Sequence, residues 1–389
     1  MFSSRFHWDL RPNRLAAAVA ARRTSGAAIF DLTGSNPTRA GFDYPPEVVA
    51  ALADPRSLIY QPEAAGLASA RAAVSAWYAA RAEMVEPERI LLTASTSEGY
   101  AYLFKLLTEP GDEVLVPRPS YPLFDFLATM ESVRVQHYPL AYHGIWWLDA
   151  DALERAITPR TRAVVVVNPN NPTGSYVKLD ELARLVEICR AHGLAIISDE
   201  VFAGYPLRPD PRRAVTLADV DEVPVFSMSG LSKIAGLPQM KLGWIVASGP
   251  PKVRREAMEK LELIADTYLS VSTPVQHAAP ALLASGAFVE RQIAARLREN
   301  LAVFRAAAEA HPACRVLDVE GGWCATLQIP RTRGEEECAL ALLEQHGVLV
   351  QPGFFYDFES EAFLVVSLLT PPEMFREGVG RLFEALRTG

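Results

Sequence analysis

The sequence is poor in cysteine and has no long apolar run. Its four cysteines, Cys189, Cys314, Cys324 and Cys338, lie far apart and form no C-x-x-C pair. That spacing indicates neither a zinc knuckle nor a redox motif, so we predict no metal site and expect reduced, mostly buried thiols. The longest apolar runs, such as 163–167, are far too short to span a bilayer. The N-terminal residues lack the apolar core of a signal peptide, and we therefore expect a soluble cytoplasmic protein with no membrane partner.

Basic charge is scarce as well. The 389 residues carry a net charge of -8, which provides no basic surface for nucleic acid, so we expect no nucleic-acid partner. No Walker loop, G-x-G-x-x-G motif or H-E-x-x-H motif supports a competing catalytic class. The length is sufficient for two domains that share a large core.

The middle of the chain alternates short β-branched runs with amphipathic helices. We predict strands over 113–116, 163–167, 194–198, 224–228 and 243–247. A helix is predicted over 179–192, with Gly193 as its C-terminal stop. This alternation predicts an α/β fold whose large domain has a mainly parallel sheet flanked by helices. Ligands of such sheets bind at the carboxyl ends of the strands.

The remaining segments have a different pattern. We predict long helices from about Thr273, short strands near 315–319 and 324–329, and a final helix near 373–386. These elements indicate a smaller α+β domain. The predicted division is a large domain over 45–272 and a small domain formed by 1–44 and 273–389.

Polar residues follow several of the predicted strands. Ser95, Thr96 and Ser97 open a helix, where free N–H groups, hydroxyls and the positive helix end make an anion site. Serine and threonine are also ordinary helix caps, so this segment alone does not distinguish a phosphate site from a capped helix. The segment 168–174 is rich in Asn and Pro and is equally well explained as a tight turn.

Two ionisable residues follow strands as well. Asp199 comes directly after 194–198, where a carboxylate can cap a helix, lie in solvent or serve a site. Lys233 comes soon after 224–228. A charged lysine next to a buried strand destabilises the fold unless it has an ion-pair partner or takes part in a reaction. Lysine loses its proton when desolvated and then forms Schiff bases.

Taken together, these segments resemble fold-type-I enzymes that use pyridoxal 5'-phosphate (PLP), and specifically the class I/II aminotransferases of the aspartate-aminotransferase superfamily. The order and spacing match over about 30–370. The resemblance implies that Lys233, in Gly-Leu-Ser-Lys, holds PLP as a Schiff base and moves a proton once its amine is free. It also implies that Asp199 pairs with the pyridine nitrogen of the cofactor and keeps it protonated.

The resemblance assigns the other cofactor contacts too. By similarity, Asn171 donates to the phenolic oxygen, Tyr121 stacks on the ring, Ser95, Thr96 and Ser97 bind the phosphate, and Tyr60 reaches a partner subunit's phosphate. A buried core tyrosine is the alternative for Tyr121. The role of Tyr60 implies a homodimer with shared active sites.

Two positions depart from the family pattern at the cofactor. Lys241 stands where the family has a phosphate-binding arginine, and it offers a point charge without the bidentate fork. Because Met240 and Leu242 are apolar, we expect Lys241 to be buried and paired. Phe202 stands where the family usually has a tyrosine, so the phenolic oxygen loses a donor and we expect a higher pKa of the Schiff base.

A third departure concerns the substrate. The position of the arginine that binds the α-carboxylate reads as Val365, and no arginine lies between Pro352 and Pro372. One explanation is that another cation binds the α-carboxylate, and Arg39, in the loop that begins at Ser35, is the candidate. The other is that the substrate amine carries no α-carboxylate. Ser35 itself replaces a glycine that is common in that loop.

The sequence therefore predicts a PLP-dependent aminotransferase. It would transfer an amino group between a small-molecule amine or amino acid and a 2-oxo acid or other carbonyl acceptor. A PLP-dependent lyase, decarboxylase or synthase on the same fold is the first alternative. A PLP-binding regulatory domain is the second, but only about 30 residues precede the first matched motif, too few for a winged helix.

Overall fold

Two main sheets, a short two-stranded sheet and their helices build the fold in this computed structural model, which describes residues 1–360 and 362–388. The strands are β1 Phe30–Asp31, β2 Ile90–Thr93, β3 Glu113–Arg118, β4 Arg134–Tyr142, β5 Trp146–Leu148, β6 Thr161–Val167, β7 Ala195–Asp199, β8 Val225–Gly230, β9 Gly243–Ser248, β10 Arg315–Val316, β11 Cys324–Gln328, β12 Val348–Leu349, β13 Gln351–Pro352 and β14 Phe363–Ser367. The α-helices are α1 Arg14–Thr24, α2 Glu47–Ala50, α3 Ala68–Ala79, α4 Thr96–Leu107, α5 Leu123–Met130, α6 Ala150–Ala156, α7 Leu179–His192, α8 Leu231–Ile234, α9 Pro251–Tyr268, α10 Thr273–Glu309, α11 Glu335–His346 and α12 Pro372–Thr388. Among these helices, none combines the length and apolarity that a membrane crossing requires.

The larger sheet has eight strands in the order β2-β9-β8-β7-β6-β3-β4-β5. The pairs β8–β7, β7–β6, β6–β3 and β3–β4 are parallel, and β9 and β5 run antiparallel to their neighbours. In β6 every residue except Arg162 is buried, as expected for a strand covered on both faces. The predicted helix α7 ends at Gly193, whose φ of 66° lies in the left-handed region. The predicted mainly parallel sheet with flanking helices is confirmed.

The smaller sheet has four strands in the order β10-β11-β14-β13, and its pairs are antiparallel. Its buried side packs with α11, α12 and the C-terminal half of α10 around one apolar core. The short parallel pair β1–β12 ties the N-terminal segment to this unit. The predicted smaller α+β unit is therefore confirmed.

Helix α10 belongs to the cores of both units. Its first turns, from Val275 to Leu283, pack in the core that covers one face of the larger sheet. Its later residues, from Val289 to Ala308, pack in the core of the smaller unit. A continuous helix of 37 residues thus joins the two units. The boundaries 45–272 and 1–44 with 273–389 stay a prediction.

The strand predicted near 315–319 is wrong in its extent, because β10 ends at Val316. The Leu317 N–H still donates to the Thr326 carbonyl of β11 at 2.9 Å, and the chain then crosses to the larger unit. The N–H groups of Glu320 and Gly321 both donate to the carbonyl of Gly174, at 3.2 and 2.9 Å. These bonds join the smaller unit to the turn that follows β6.

We expect Gly174→Ala to destabilise the protein by about 2–4 kcal/mol, because its φ is +71° and a Cβ would meet Val319 Cγ2 at 2.3 Å and the Gly321 carbonyl at 2.5 Å. Gly322→Ala is the matched control, since its φ is +79° and nothing lies within 4 Å of the added carbon. That variant should lose only about 1 kcal/mol, the cost of the backbone conformation. Urea denaturation of both variants measures the difference, and equal losses would contradict the close approach.

Candidate active site

The predicted site residues come together at the carboxyl ends of the parallel strands. Asp199 ends β7 and pairs in register with Val167 of β6 and with Met228 of β8. Lys233 lies in α8, which begins directly after β8. The segment from Ser95 follows β2 at the same edge, where Gly243 brings β9 close to it.

Asp199 is an acid held in a water-poor environment. Its Oδ2 accepts a hydrogen bond from the Tyr100 hydroxyl at 3.1 Å, and its Oδ1 accepts one from the Val201 N–H at 3.2 Å. Burial raises the pKa of Asp199 to about 6, while these bonds and the nearby Lys233 oppose the rise. The site therefore contains a partly buried carboxylate that water stabilises poorly and that a nearby cation would stabilise.

Tyr100 is a site residue that sequence reasoning missed. It lies on the face of α4 that also buries Leu103 and Phe104. Burial, followed by the charge of Asp199, raises the pKa of Tyr100 well above its usual value, so its hydroxyl remains a donor. The helical spacing of 100, 103 and 104 predicts a buried face, but nothing in the sequence names Asp199 as the partner.

The amine of Lys233 is also kept from water. Its Nζ lies 5.7 Å from the ring centroid of Phe202 and 5.1 Å from that of Trp323. Burial lowers the pKa of Lys233, against the opposing influence of Cys324 and Asp199. A lowered pKa increases the fraction of uncharged amine, which is the form that attacks a carbonyl carbon.

Cys324, also missed by sequence reasoning, lies near this amine. It opens β11 of the smaller sheet, and burial raises the pKa of its thiol to about 12 although Lys233 opposes this. The thiol therefore stays protonated at neutral pH. Trp323 and Cys324 show that the smaller sheet forms one side of the site.

The N-terminus of α4 carries the three residues predicted to bind phosphate. The Ser95 hydroxyl accepts from the Glu98 N–H at 3.2 Å, so it serves as the helix cap. Glu98 in turn accepts from the Ala94 N–H at 2.7 Å. Because the first N–H groups of a helix have no acceptor within it, those of Thr96 and Ser97 are available to an anion.

Lys241 differs from the expectation. Its side chain is exposed, so the prediction that it is buried is wrong. The residue has a φ of 54°, and the flanking Met240 and Leu242 take the inward positions. The left-handed backbone conformation directs the lysine away from the apolar layer that its neighbours enter.

Three asparagines in the turn after β6 have different surroundings. Asn168 donates to the Ala214 carbonyl at 2.9 Å, and Asn170 donates to the Pro119 carbonyl at 3.0 Å. Both amides therefore hold loops in place. For Asn171, which is partly buried, no side-chain hydrogen bond is formed with any residue in 1–360 or 362–388. Its amide is the one in this turn that remains available to a ligand.

The remaining predicted residues are exposed. Tyr121 is 47% exposed, so it is not a core tyrosine, and Tyr60 is 75% exposed. Ser35 and Arg39 lie in an exposed loop that the Ser367 hydroxyl holds by donating to the Gly34 carbonyl at 2.6 Å. An aromatic ring open to one side is the arrangement that stacking on a planar ligand requires.

Val365, the position expected to hold an arginine, is only 1% exposed. It packs in a small apolar cluster with Trp146, Leu317, Tyr356 and Phe358. Trp146, Trp323 and Tyr356 are buried, whereas Trp147 and Phe354 are 37% and 44% exposed. Trp323 thus lies beside Lys233, and Trp146 and Tyr356 pack around Val365.

The donor set fits PLP. A partly buried acid suits a protonated ring nitrogen, a lysine whose pKa is lowered suits a Schiff base, and a helix N-terminus with Lys241 suits a phosphate. Asn171 and Tyr121 add an unused amide and an open aromatic ring beside them.

Residues 30–382 match the family described as aminotransferase class I and II. Glutamate-pyruvate aminotransferase AlaA of Escherichia coli is 34% identical over 256 residues, which cover 65% of this chain and 63% of that protein. Alanine aminotransferase of Mycobacterium bovis is 30% identical over 264 residues, covering 65% and 59%. The matches thus span less than two thirds of the length of these relatives.

Solved structures agree over the whole chain. The crystal structure of an aminotransferase from Escherichia coli superposes with a TM-score of 0.87 at 27% identity and covers 100% of this chain and 98% of that one. An alanine aminotransferase from Pyrococcus furiosus has a TM-score of 0.91 at 23% identity with full coverage of both chains, which shows the fold alone. The chain belongs to the class I and II aminotransferase family, whose members have a fold-type-I scaffold that in general depends on PLP.

Proposed function

We propose that this protein is an aminotransferase that holds PLP on Lys233 and transfers an amino group between an amine donor and a 2-oxo acid or other carbonyl acceptor. The observation that carries the proposal is the location of an acid and an amine at one sheet edge, with the pKa of Asp199 raised and that of Lys233 lowered by burial. The names of the two relatives specify glutamate, pyruvate and alanine, and these are the first compounds to test.

PLP, when bound, supplies a protonated ring that withdraws electrons from the carbon bearing the amine. Asp199 is proposed to hold the proton on the ring nitrogen, with Tyr100 fixing its carboxylate. Lys233 Nζ is proposed to take a proton from the substrate carbon and return it elsewhere. Phe202 and Trp323 keep water from that amine, which favours its uncharged form.

The phosphate end is proposed to use the N–H groups of Thr96 and Ser97, the Ser95 cap and the charge of Lys241. A single ammonium offers no bidentate fork, so the helix N-terminus carries much of the anion binding. Asn171 is proposed to donate to the phenolic oxygen, and Tyr121 to stack on the ring.

A homodimer with shared active sites is part of the proposal. Leu58, Ile59 and Tyr60 are 90%, 66% and 75% exposed, which is unusual for three consecutive apolar residues. A second copy that covers them would place Tyr60 at the partner's phosphate.

A lyase, decarboxylase or synthase remains the second candidate, favoured by Val365 at the position where the family has an arginine. Purified PLP-loaded protein mixed with alanine or glutamate alone should convert to the pyridoxamine spectrum within minutes. When a 2-oxo acid is then added, the PLP spectrum should return, which would show that the amino group has been passed to the acceptor. Loss of the donor without any pyridoxamine form would reject the aminotransferase in favour of the second candidate.

Cofactor-free Asp199→Asn is expected to exceed the wild type in free energy of unfolding by about 1–3 kcal/mol at pH 8, because the amide removes the cost of a buried charged carboxylate. The folded protein raises the pKa from 3.8 to about 6, so this cost is absent below 3.8 and grows as the pH rises between the two values. Urea denaturation at pH 8 and pH 5 should show a smaller gain at pH 5.

The same Asp199→Asn variant, loaded with PLP, should lose about 100-fold or more in activity. Tyr100→Phe is the matched control, since it keeps the carboxylate and should gain no stability. A gain for Asp199→Asn of equal size at both pH values would contradict the burial of a charged group.

Phe202→Tyr is expected to lower the pKa read from the visible spectrum of the bound cofactor by about one pH unit, because the hydroxyl adds a donor near Lys233. A pH titration of the spectrum measures it. The exposed Phe288→Tyr serves as control and should titrate like the wild type. Identical titrations of Phe202→Tyr and wild type would contradict the proposed effect of the missing hydroxyl on the pKa of the Schiff base.

A further inference from the structure

The smaller sheet forms one side of the site, and three uncharged side chains lie together there. Val365 pairs in register with Gln351 of β13, and the Tyr356 hydroxyl donates to Gln351 Oε1. We call Gln351, Tyr356 and Val365 the neutral wall.

The neutral wall faces the same site as Lys233. Thr326 pairs with Val365 on its other side, and Cys324 shares its face because residues two apart in a strand point the same way. Cys324 is close enough to Lys233 to influence its pKa. The Ser120 N–H also donates to the Tyr356 carbonyl at 2.9 Å, which fixes the wall beside Tyr121.

The space against Val365 itself is filled. The valine is 1% exposed and packs with Trp146, Tyr356 and Phe358. A substrate group therefore meets the front of the wall, the Tyr356–Gln351 pair, and not the valine behind it. Gln351 is only half-buried, so its amide remains within reach of a ligand.

Hydrogen-bond donors without partners lie at and behind this wall. The amide nitrogen of Gln351 donates to no residue in the described part of the chain. Behind it, the Thr326 hydroxyl and the Trp146 indole nitrogen are buried and have no partner. Unpaired buried donors are costly, and packing alone would favour apolar residues there. Of these three donors, the Gln351 amide is the one that is not fully buried, so it is the one that an oxygen of the substrate can reach.

None of the three wall residues carries a charge. Hydrogen bonds from a cation to a carboxylate are about twice as strong as bonds between neutral groups. The Tyr356 hydroxyl already donates to Gln351, so the Gln351 amide is the wall donor left for a ligand, and it lacks the net charge with which a cation attracts a carboxylate. It would therefore favour a carboxylate over the carbonyl oxygen of a carboxamide far less than a cation would.

Resting on the aminotransferase function proposed above, we propose that Gln351 Nε2 is a specificity-determining donor for the oxygen acceptor next to the amine-bearing carbon. The amino donors then include α-amino amides as well as α-amino acids. In this arrangement Arg39 is not the receptor of that group.

The test uses matched pairs of donors that differ only in charge, L-alanine with L-alaninamide and L-phenylalanine with L-phenylalaninamide. The rate of conversion of the PLP-loaded protein to the pyridoxamine form gives an apparent second-order constant for each. We expect the two members of a pair to lie within about tenfold of each other, whereas a cationic receptor would favour the acid by about 100-fold or more.

Binding gives a readout that requires no turnover. Isothermal titration calorimetry of the PLP-loaded protein with 3-phenylpropanoate and 3-phenylpropanamide should give similar dissociation constants. Gln351→Leu should weaken both by about tenfold. Gln351→Glu, which keeps the shape but loses the donors, should weaken the acid more than the amide. The exposed Gln345→Leu in α11 is the matched control and should change neither.

The outcomes separate the two proposals. Preference for the acids above about 100-fold, abolished by Arg39→Gln and kept in Gln351→Leu, would overturn the neutral receptor and leave the aminotransferase standing. Binding of both analogues that depends on Gln351, without amino transfer from any donor, would support the receptor and reject the aminotransferase.

Discussion

The burial of an acid and an amine at one sheet edge is the constraint on which the rest of the site depends. Asp199 and Lys233 are only partly open to solvent, and burial raises the pKa of the acid and lowers that of the amine. Such groups persist in a folded protein only where the surrounding structure compensates for them. Tyr100 and the Val201 N–H do so for the acid by direct hydrogen bonds.

The smaller sheet completes this environment. It supplies Trp323 and Cys324 beside the lysine, and it is attached to the turn after β6 through the two bonds to the Gly174 carbonyl. The same turn carries Asn171, so the position of the candidate cofactor ligand depends on contact between the two units. Helix α10 packs in the cores of both units and so holds them together.

The departures from the family pattern fall on the sides of the site and leave its centre intact. Phe202 is paired edge-to-face with Trp323, at 5.3 Å between ring centroids, so an apolar contact occupies the place of a hydroxyl. Val365 is likewise sealed by aromatic side chains. Phe202 contributes an apolar ring beside Lys233, and Val365 contributes an apolar side chain to the smaller sheet, so the sides of the site are weakly polar.

The sequence by itself determined the larger sheet and the residues at its strand ends. The valine-rich run of β6 and the stop at Gly193 are local signals, and Asp199, Lys233 and the helix start at Ser95 follow from them because parallel strands end at one edge. The exposure of Lys241, the bond of Tyr100 to Asp199, the early end of β10 and the filling of the space at Val365 were decided only by tertiary structure. Each depends on which residues from distant parts of the chain meet, and a local pattern carries no information about such a partner.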